Sequence, residues 1–421
     1  MHRLSRFLVP ILVVLSAMPA HAQIALPLAR PEQAGMSSAK LEQATAALQA
    51  HVAAGDIAGA VAGVVRDGKL IYLKAVGKRD IESASPMTTD ALFRIYSMTR
   101  PIPSLGILML QDEGKVNVKD SVQKYLPKFA DQRVLVDPNA TTADQTRPRK
   151  GDITLAELAT HTSGFGGRES KIYVDSHVRS WDQSLEQVVD NMAATPLFED
   201  PGTKYRYSEG GDVLGRVIEL VSGMKLQDFY RQRIFGPLGM SDTVFYVDPG
   251  RAIRLATTYR PGPDKKLQAF EIEPIPVTQQ RALISAVGAV SSTTDMLHFG
   301  QFFLNNGRVN GRQLLSPHGI QLAETNALPA SVLPIAKAGY NAGSGWTLGG
   351  FNVVMDPTAY DHTVSPGEIW WDGSAGTRFW IDPRENMVTV IMAQVQPTDA
   401  GHFREQFKTL VYAAIEKHHA P

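Results

Sequence analysis

The chain has 421 residues and no cysteine, which excludes disulfides, thiolate nucleophiles and cysteine-ligated metals. Lys plus Arg equals Asp plus Glu at 42 each, so no global field draws the protein to nucleic acid or an anionic membrane, and its partners are expected to be small or uncharged. With 43% hydrophobic and 20% charged residues, a chain of this length can bury a large core and fold on packing alone.

At the N-terminus, His2, Arg3 and Arg6 precede an apolar run from Phe7 to Met18, and Ala20-His21-Ala22 supplies an A-x-A cleavage site. This reads as a secretory signal peptide over residues 1–22, with the mature chain starting at Gln23 and working in the periplasm or outside the cell. The apolar run falls short of the roughly 20 residues that a membrane-spanning helix needs. No later segment is apolar enough to span a bilayer.

Ser37-Ser38 precede Leu41, Ala44, Leu48 and Val52, a spacing of three to four that predicts an amphipathic helix with a serine cap. Ala60 to Val76 is apolar and β-branched on both sides of Asp67-Gly68, which predicts a hairpin. Residues from about 97 to 330 are mostly helical in pattern. Gly345 to Val354, Arg378 to Asp382 and Met387 to Gln394 read as strands, and Phe403 to Glu416 as a closing helix. Strands at both ends with helices between predict an α/β protein of α+β type. Its antiparallel sheet is built from both termini (about 30–96 and 335–421) with flanking helices, and a mostly helical region (about 97–334) is inserted. The site is expected in the cleft between the two parts.

Within Leu92 to Pro101, an apolar strand-like stretch runs into a helix that continues through Leu105, Leu108, Met109 and Leu110, and Ser97 stands at its start. A serine in that place is by default a helix cap. A functional reading gains weight from Arg100, because residues i and i+3 share a helix face and can point into one site. Pro101 falls in the first turn, whereas Pro103 lies deeper and is expected to make the helix start irregular.

Here the chain resembles the penicillin-recognising serine hydrolases, in particular the class C β-lactamases and the carboxylesterases of family VIII. Their Ser-x-x-Lys motif is usually S-M-T-K-P; this chain reads Ser97-Met98-Thr99-Arg100-Pro101. The bare pattern also occurs at Ser37 to Lys40, Ser121 to Lys124 and Ser222 to Lys225, none in the right setting. The substitution matters because the family's lysine is thought to shuttle protons, and a guanidinium with a pKa above about 12 cannot. Arg100 keeps the positive charge and loses the base, while remaining able to lower the pKa of a neighbouring tyrosine or to orient Ser97.

Two distant segments extend the resemblance, which spans roughly Glu32 to Glu416. Pro201-Gly202-Thr203 to Tyr207-Ser208 is similar to the family's P-G-T-x-x-x-Y-S, which makes Tyr207 the proton partner of the serine; Glu209 stands where the β-lactamases have asparagine. A phenol with a pKa of about 10 needs help to act near neutrality, and a fixed cation would supply it. Trp371-Asp372-Gly373-Ser374-Ala375-Gly376-Thr377 is similar to the esterases' W-G-G-A-A-G-T, where β-lactamases carry a Lys-Thr-Gly type motif. The resemblance implies that Trp371, Gly373 and Ser374 line the oxyanion and substrate side. The N–H groups of Ser374 and Ser97 would be the donors, worth about 3 kcal/mol each in the transition state. Asp372 replaces a family glycine, and a carboxylate beside an oxyanion hole is an awkward neighbour. Thr154 to Phe165 is similar to the family's T-I-x-x-L-L-T-H-T-S-G-L, in which His161 is read as structural.

No serine is flanked as Gly-x-Ser-x-Gly, no His-Glu-x-x-His occurs and no Gly-x-Gly-x-x-Gly follows a strand pattern, so no cofactor or metal is expected. The reading is a carboxylesterase-like serine hydrolase over residues 23–421, with Ser97, Tyr207 and Arg100 as its catalytic residues, acting on small uncharged esters. A catalytically silent binding or regulatory homologue and a β-lactamase or D-Ala-D-Ala peptidase are the alternatives.

Overall fold

The computed structural model describes residues 26–264, 266–270, 275–284, 286–360 and 364–419, so the expected signal peptide lies outside the described residues. Helix α1 (Ser38–Ala54) starts where Ser37 accepts the Lys40 amide proton on its hydroxyl and ends at left-handed Gly55. Strands β1 (Gly59–Arg66) and β2 (Lys69–Asp80) form the expected hairpin, because Asp67 and Gly68 both take positive φ, 52° and 68°. A short β3 (Ser85–Pro86) pairs with β2 at the sheet edge.

The C-terminal part supplies the other strands: β4 (Ser344–Trp346), β5 (Asn352–Val354), β6 (Ile369–Gly373), β7 (Thr377–Asp382) and β8 (Met387–Ala393). Gly345 to Val354 is thus a hairpin rather than one strand. Gly350 turns the chain at φ 79°, and the Thr347 amide donates across the turn to the Phe351 carbonyl at 2.9 Å. The eight strands order as β4-β5-β6-β7-β8-β1-β2-β3, antiparallel throughout, so β1 joins the two ends of the chain by pairing with both β8 and β2.

Both faces of the sheet centre are covered, which is why every residue of β1 and β8 is buried and why their sequences are apolar except for Arg66 and Thr389. Helix α1 packs with the C-terminal helix (Phe403–Ala413) on one face. The other face receives Thr293–Leu304, whose Gly300 lies so close to the sheet that an added Cβ would meet Val388 at 2.4 Å.

Between the halves, the chain is not purely helical. Helix α2 (Pro101–Asp112) and helix α3 (Gly210–Ser222) pack together, and among the described residues four two-stranded ladders outside the main sheet accompany the helices, one of which pairs Leu92–Arg94 with Val290–Ser292. Among the described residues, no helix is long and apolar enough to cross a membrane.

Candidate active site

Ser97 does not begin an α-helix; it lies in a single 3₁₀ turn, Tyr96–Thr99, that leads into α2. Pro103 sits within the first turn of α2, where its missing N–H costs little, and the irregularity falls instead on the turn before it. Tyr96 is held at φ 42°, a strained value for a bulky residue. The turn is pinned from both sides: the Ile95 amide donates to the Ala289 carbonyl at 3.0 Å, and the Ala289 amide to the Thr99 hydroxyl at 3.2 Å. Ser97 is left half-buried, with its hydroxyl within hydrogen-bonding reach of the Tyr207 phenol oxygen.

Tyr207 comes from the loop entering α3. Arg100, buried at 4% exposure, reaches across to it and donates from Nε to the phenol oxygen, with the guanidinium carbon 4.4 Å from the ring centroid. Two further bonds fix the arginine: Nη1 donates to the Ser208 carbonyl at 2.9 Å and Nη2 to Glu209 Oε1 at 3.0 Å. The other Glu209 oxygen accepts from Arg179 at 3.1 Å, and Arg179 lies 3.8 Å from Asp212. Asp212 accepts the Ala286 amide proton at 2.8 Å. The sequence places Glu209 two residues after Tyr207 and Asp212 three further along α3, but nothing in the sequence points to Arg179 as their partner.

Behind the phenol stands an aromatic wall. The His161 ring lies 4.5 Å from that of Tyr207 and 4.9 Å from Trp346, whose indole donates to the Ala159 carbonyl at 3.0 Å. Trp371, from β6, completes the wall at 4.5 Å from Trp346 and 5.4 Å from Tyr207. His161 Nδ1 accepts the Ser208 amide proton at 3.2 Å. Burial, with the Arg100 charge adding to it, holds the His161 pKa well below its usual 6.5, so the ring is neutral.

Burial dominates Tyr207 as well. It raises the phenol above its usual value despite the opposing pull of Arg100 and the Ser97 hydrogen bond, so Arg100 offsets burial without lowering the phenol below the normal range. For Glu209 the balance reverses: burial opposes ionisation, but Arg100, Arg179 and Arg168 together hold its carboxyl well below the ordinary range. Burial also pushes the Asp212 carboxyl up, and the Glu209 charge adds to the effect. Arg100 stays protonated, because Glu209 outweighs the burial that would discharge it.

Strand β6 brings the third segment in. Gly373 is required here: a Cβ on it would stand 2.4 Å from the Ile95 carbonyl oxygen, two residues before Ser97. Ser374 follows at the β6–β7 turn, half-buried, its carbonyl held by Gln396 and Thr398. Asp372 does not crowd this corner. Strand alternation turns it away from the Trp371 side, and Arg404 of the terminal helix takes its carboxylate at 2.8 Å. Among the described residues, the one trio with metal-ligand spacing is Asp399, His402 and Glu405, in which Asp399 is already paired with Arg404 at 3.3 Å.

An antiparallel sheet drawn from both termini, a helical insert and a serine held one turn ahead of a buried helix at their junction define a β-lactamase/transpeptidase-like architecture. The chain belongs to the Beta-lactamase family, whose model matches residues 44–413. Its relatives include Protein Rv1367c of Mycobacterium tuberculosis, 32% identical over 352 residues covering 82% of this chain and 87% of that protein. Esterase EstB of Burkholderia gladioli is 29% identical over 346 residues, 77% and 83% of the two chains. The solved structure of EstCE1, a hydrolase with promiscuous acyltransferase activity, superposes with a TM-score of 0.77 over 89% of this chain and 99% of that one, at 24% identity.

Proposed function

We propose that the protein is a carboxylesterase that acts on small uncharged esters through an acyl-Ser97 intermediate. The observation that carries this reading is the convergence of Ser97, Tyr207 and Arg100: one phenol oxygen meets both the nucleophile and a buried cation. In the first step, the Ser97 O–H breaks as its oxygen bonds the ester carbonyl, and the proton passes to a Tyr207 phenolate held by Arg100. The backbone N–H groups of Ser97 and Ser374 receive the oxyanion. Its collapse expels the alcohol, which takes the proton from Tyr207 and restores the phenolate. Water then attacks the acyl carbonyl, gives a proton to the phenolate, and the acid leaves as that proton returns to Ser97.

The aromatic wall of Trp346 and Trp371, with no lysine where the β-lactamases carry Lys-Thr-Gly, favours uncharged esters over the carboxylates of penicillins and peptides. Similarity to an esterase over most of the chain supports the same choice. A second reading, a silent homologue that only binds, is favoured by one fact: burial makes the Tyr207 phenol reluctant to ionise. We further propose export with cleavage after Ala22, which intact-mass measurement of the exported protein tests against a mature N-terminus at Gln23.

Hydrolysis of p-nitrophenyl butyrate by purified protein discriminates the two readings. Turnover that disappears in Ser97→Ala, together with a mass gain from a fluorophosphonate on the peptide carrying Ser97, is expected. An inert wild type that gains activity in Arg100→Lys overturns the esterase reading, and hydrolysis that survives Ser97→Ala overturns the nucleophile.

A further inference from the structure

We propose that Glu209 is the positioning residue of this site: it grips Arg100 with one carboxylate oxygen and Arg179 with the other, and so holds the Arg100 guanidinium on the Tyr207 phenol oxygen. The inference rests on the reading of Ser97, Tyr207 and Arg100 as the reacting unit. An arginine side chain carries about 2 kcal/mol of rotamer entropy, so a free guanidinium would not stay on one phenol. Here all three nitrogens are engaged, and the one carboxylate among their partners is that of Glu209. The Ser208 carbonyl alone is a neutral acceptor and leaves the guanidinium free to pivot about it.

Glu209 is itself immobile. It is 4% exposed, begins α3, and is tied at its far oxygen to Arg179, whose guanidinium lies 4.8 Å over the Trp181 ring. Asp212, one turn along α3, lies 3.8 Å from the same Arg179 Nη1 and is locked to the Ala286 amide. The result is an alternating buried row, Arg100, Glu209, Arg179, Asp212, running from the reacting phenol into the helical region. Such a row is costly to assemble and costly to break, because removing one member leaves its neighbour buried and uncompensated. A lysine at position 100 would offer one nitrogen and no fork, so the row suits arginine specifically.

Placement also gives the inference a test whose sign a bulk electrostatic role would not reproduce. The charged and titratable groups around Tyr207 are Arg100 before α2, His161 beside its ring, the neighbouring Tyr205 phenol, and Glu209, with Arg179, Arg168 and Asp212 standing behind Glu209. Glu209's own charge pushes the phenol up, so deleting that charge with Arg100 fixed must lower the Tyr207 pKa. If Glu209 positions Arg100, its loss also releases the cation, and the phenol moves upward instead.

The experiment is spectrophotometric titration of tyrosinate in the full chain, with the Tyr207→Phe titration in the same background subtracted, for wild type, Glu209→Gln and Glu209→Asp. The expected result in Glu209→Gln is an upward shift of about one pH unit, a tenfold fall in the ionisation constant. In Glu209→Asp, which keeps the charge and shortens the reach, an upward shift is also expected and serves where Glu209→Gln does not fold. A downward or absent shift in the variants that fold overturns the proposal. This readout needs no turnover, so it fails or succeeds separately from the esterase reading. Where wild type hydrolyses p-nitrophenyl butyrate, Glu209→Gln should lower kcat about tenfold to a hundredfold with KM within about twofold; a change confined to KM overturns the positioning role.

Discussion

If Ser97 is the nucleophile proposed above, the buried Arg100 guanidinium, which stays protonated, cannot accept its proton, and the proton must go elsewhere. On that proposal Tyr207 takes it, and only as the phenolate. Because burial raises the phenol above its usual value of about 10, the phenolate fraction grows tenfold per pH unit throughout the neutral range. Ester hydrolysis should therefore rise with pH, without a plateau below about pH 10, in a profile of kcat/KM measured over pH 6 to about 10. A plateau near neutrality would assign the base to another group. His161 would not produce one, since it is already neutral well below its usual 6.5. For Arg100→Lys, a single ammonium cannot serve the phenol, the Ser208 carbonyl and Glu209 together, so kcat is expected to fall about tenfold to a hundredfold, read in the same assay.

Local chemistry made several elements legible in the sequence. The Ser37 cap and the Asp67-Gly68 turn are decided by a few neighbouring residues, and the structure has both. Strand alternation after Trp371 could likewise have turned Asp372 away from the site, although the Arg404 partner that neutralises it comes from the distant terminal helix. Gly345 to Val354 misleads as one strand because its apolar run continues through a tight turn. The carboxylate that holds Arg100 and its own partner are least legible: Glu209 is visible only as a departure from asparagine, and Arg179, which pairs with it, lies in a loop with no pattern of its own. Close approach of elements is equally invisible until strands are placed. Gly373→Ala would push β6 away from the turn carrying Ser97, so a loss of about 1–3 kcal/mol in urea denaturation is expected, with kcat falling more than KM rises. Unchanged kcat in that variant would show that the end of β6 does not set the geometry at Ser97.

Across the whole molecule, the two ends of the chain are joined at Arg66, the last residue of β1. Its fully buried guanidinium donates to Glu385 Oε2 at 2.6 Å and to the carbonyls of Ala34 and Lys417 at 2.8 Å each. Arg66→Met leaves Glu385 with only its His418 partner and these buried carbonyls without a donor, and a loss of about 3–5 kcal/mol is expected from urea melts. The Glu385 carboxyl is lowered below its ordinary range: burial opposes this, while His418 and Arg66 outweigh it. A depressed carboxyl contributes stability that is present above its unfolded pKa of about 4.5 and lost as pH falls further. Wild type should therefore lose more stability than Arg66→Met between pH 5 and about 3.

The seating of β1 between β2 and β8 also has a consequence in time. One edge of β1 is satisfied within a few residues of synthesis, but the other waits for Met387–Ala393, more than three hundred residues later. Until the last strand emerges, an apolar hairpin stands with an open edge and no sheet to complete. The order of the strands thus makes the chain slow to commit to its shape, since the sheet cannot close until nearly the whole of it has been made.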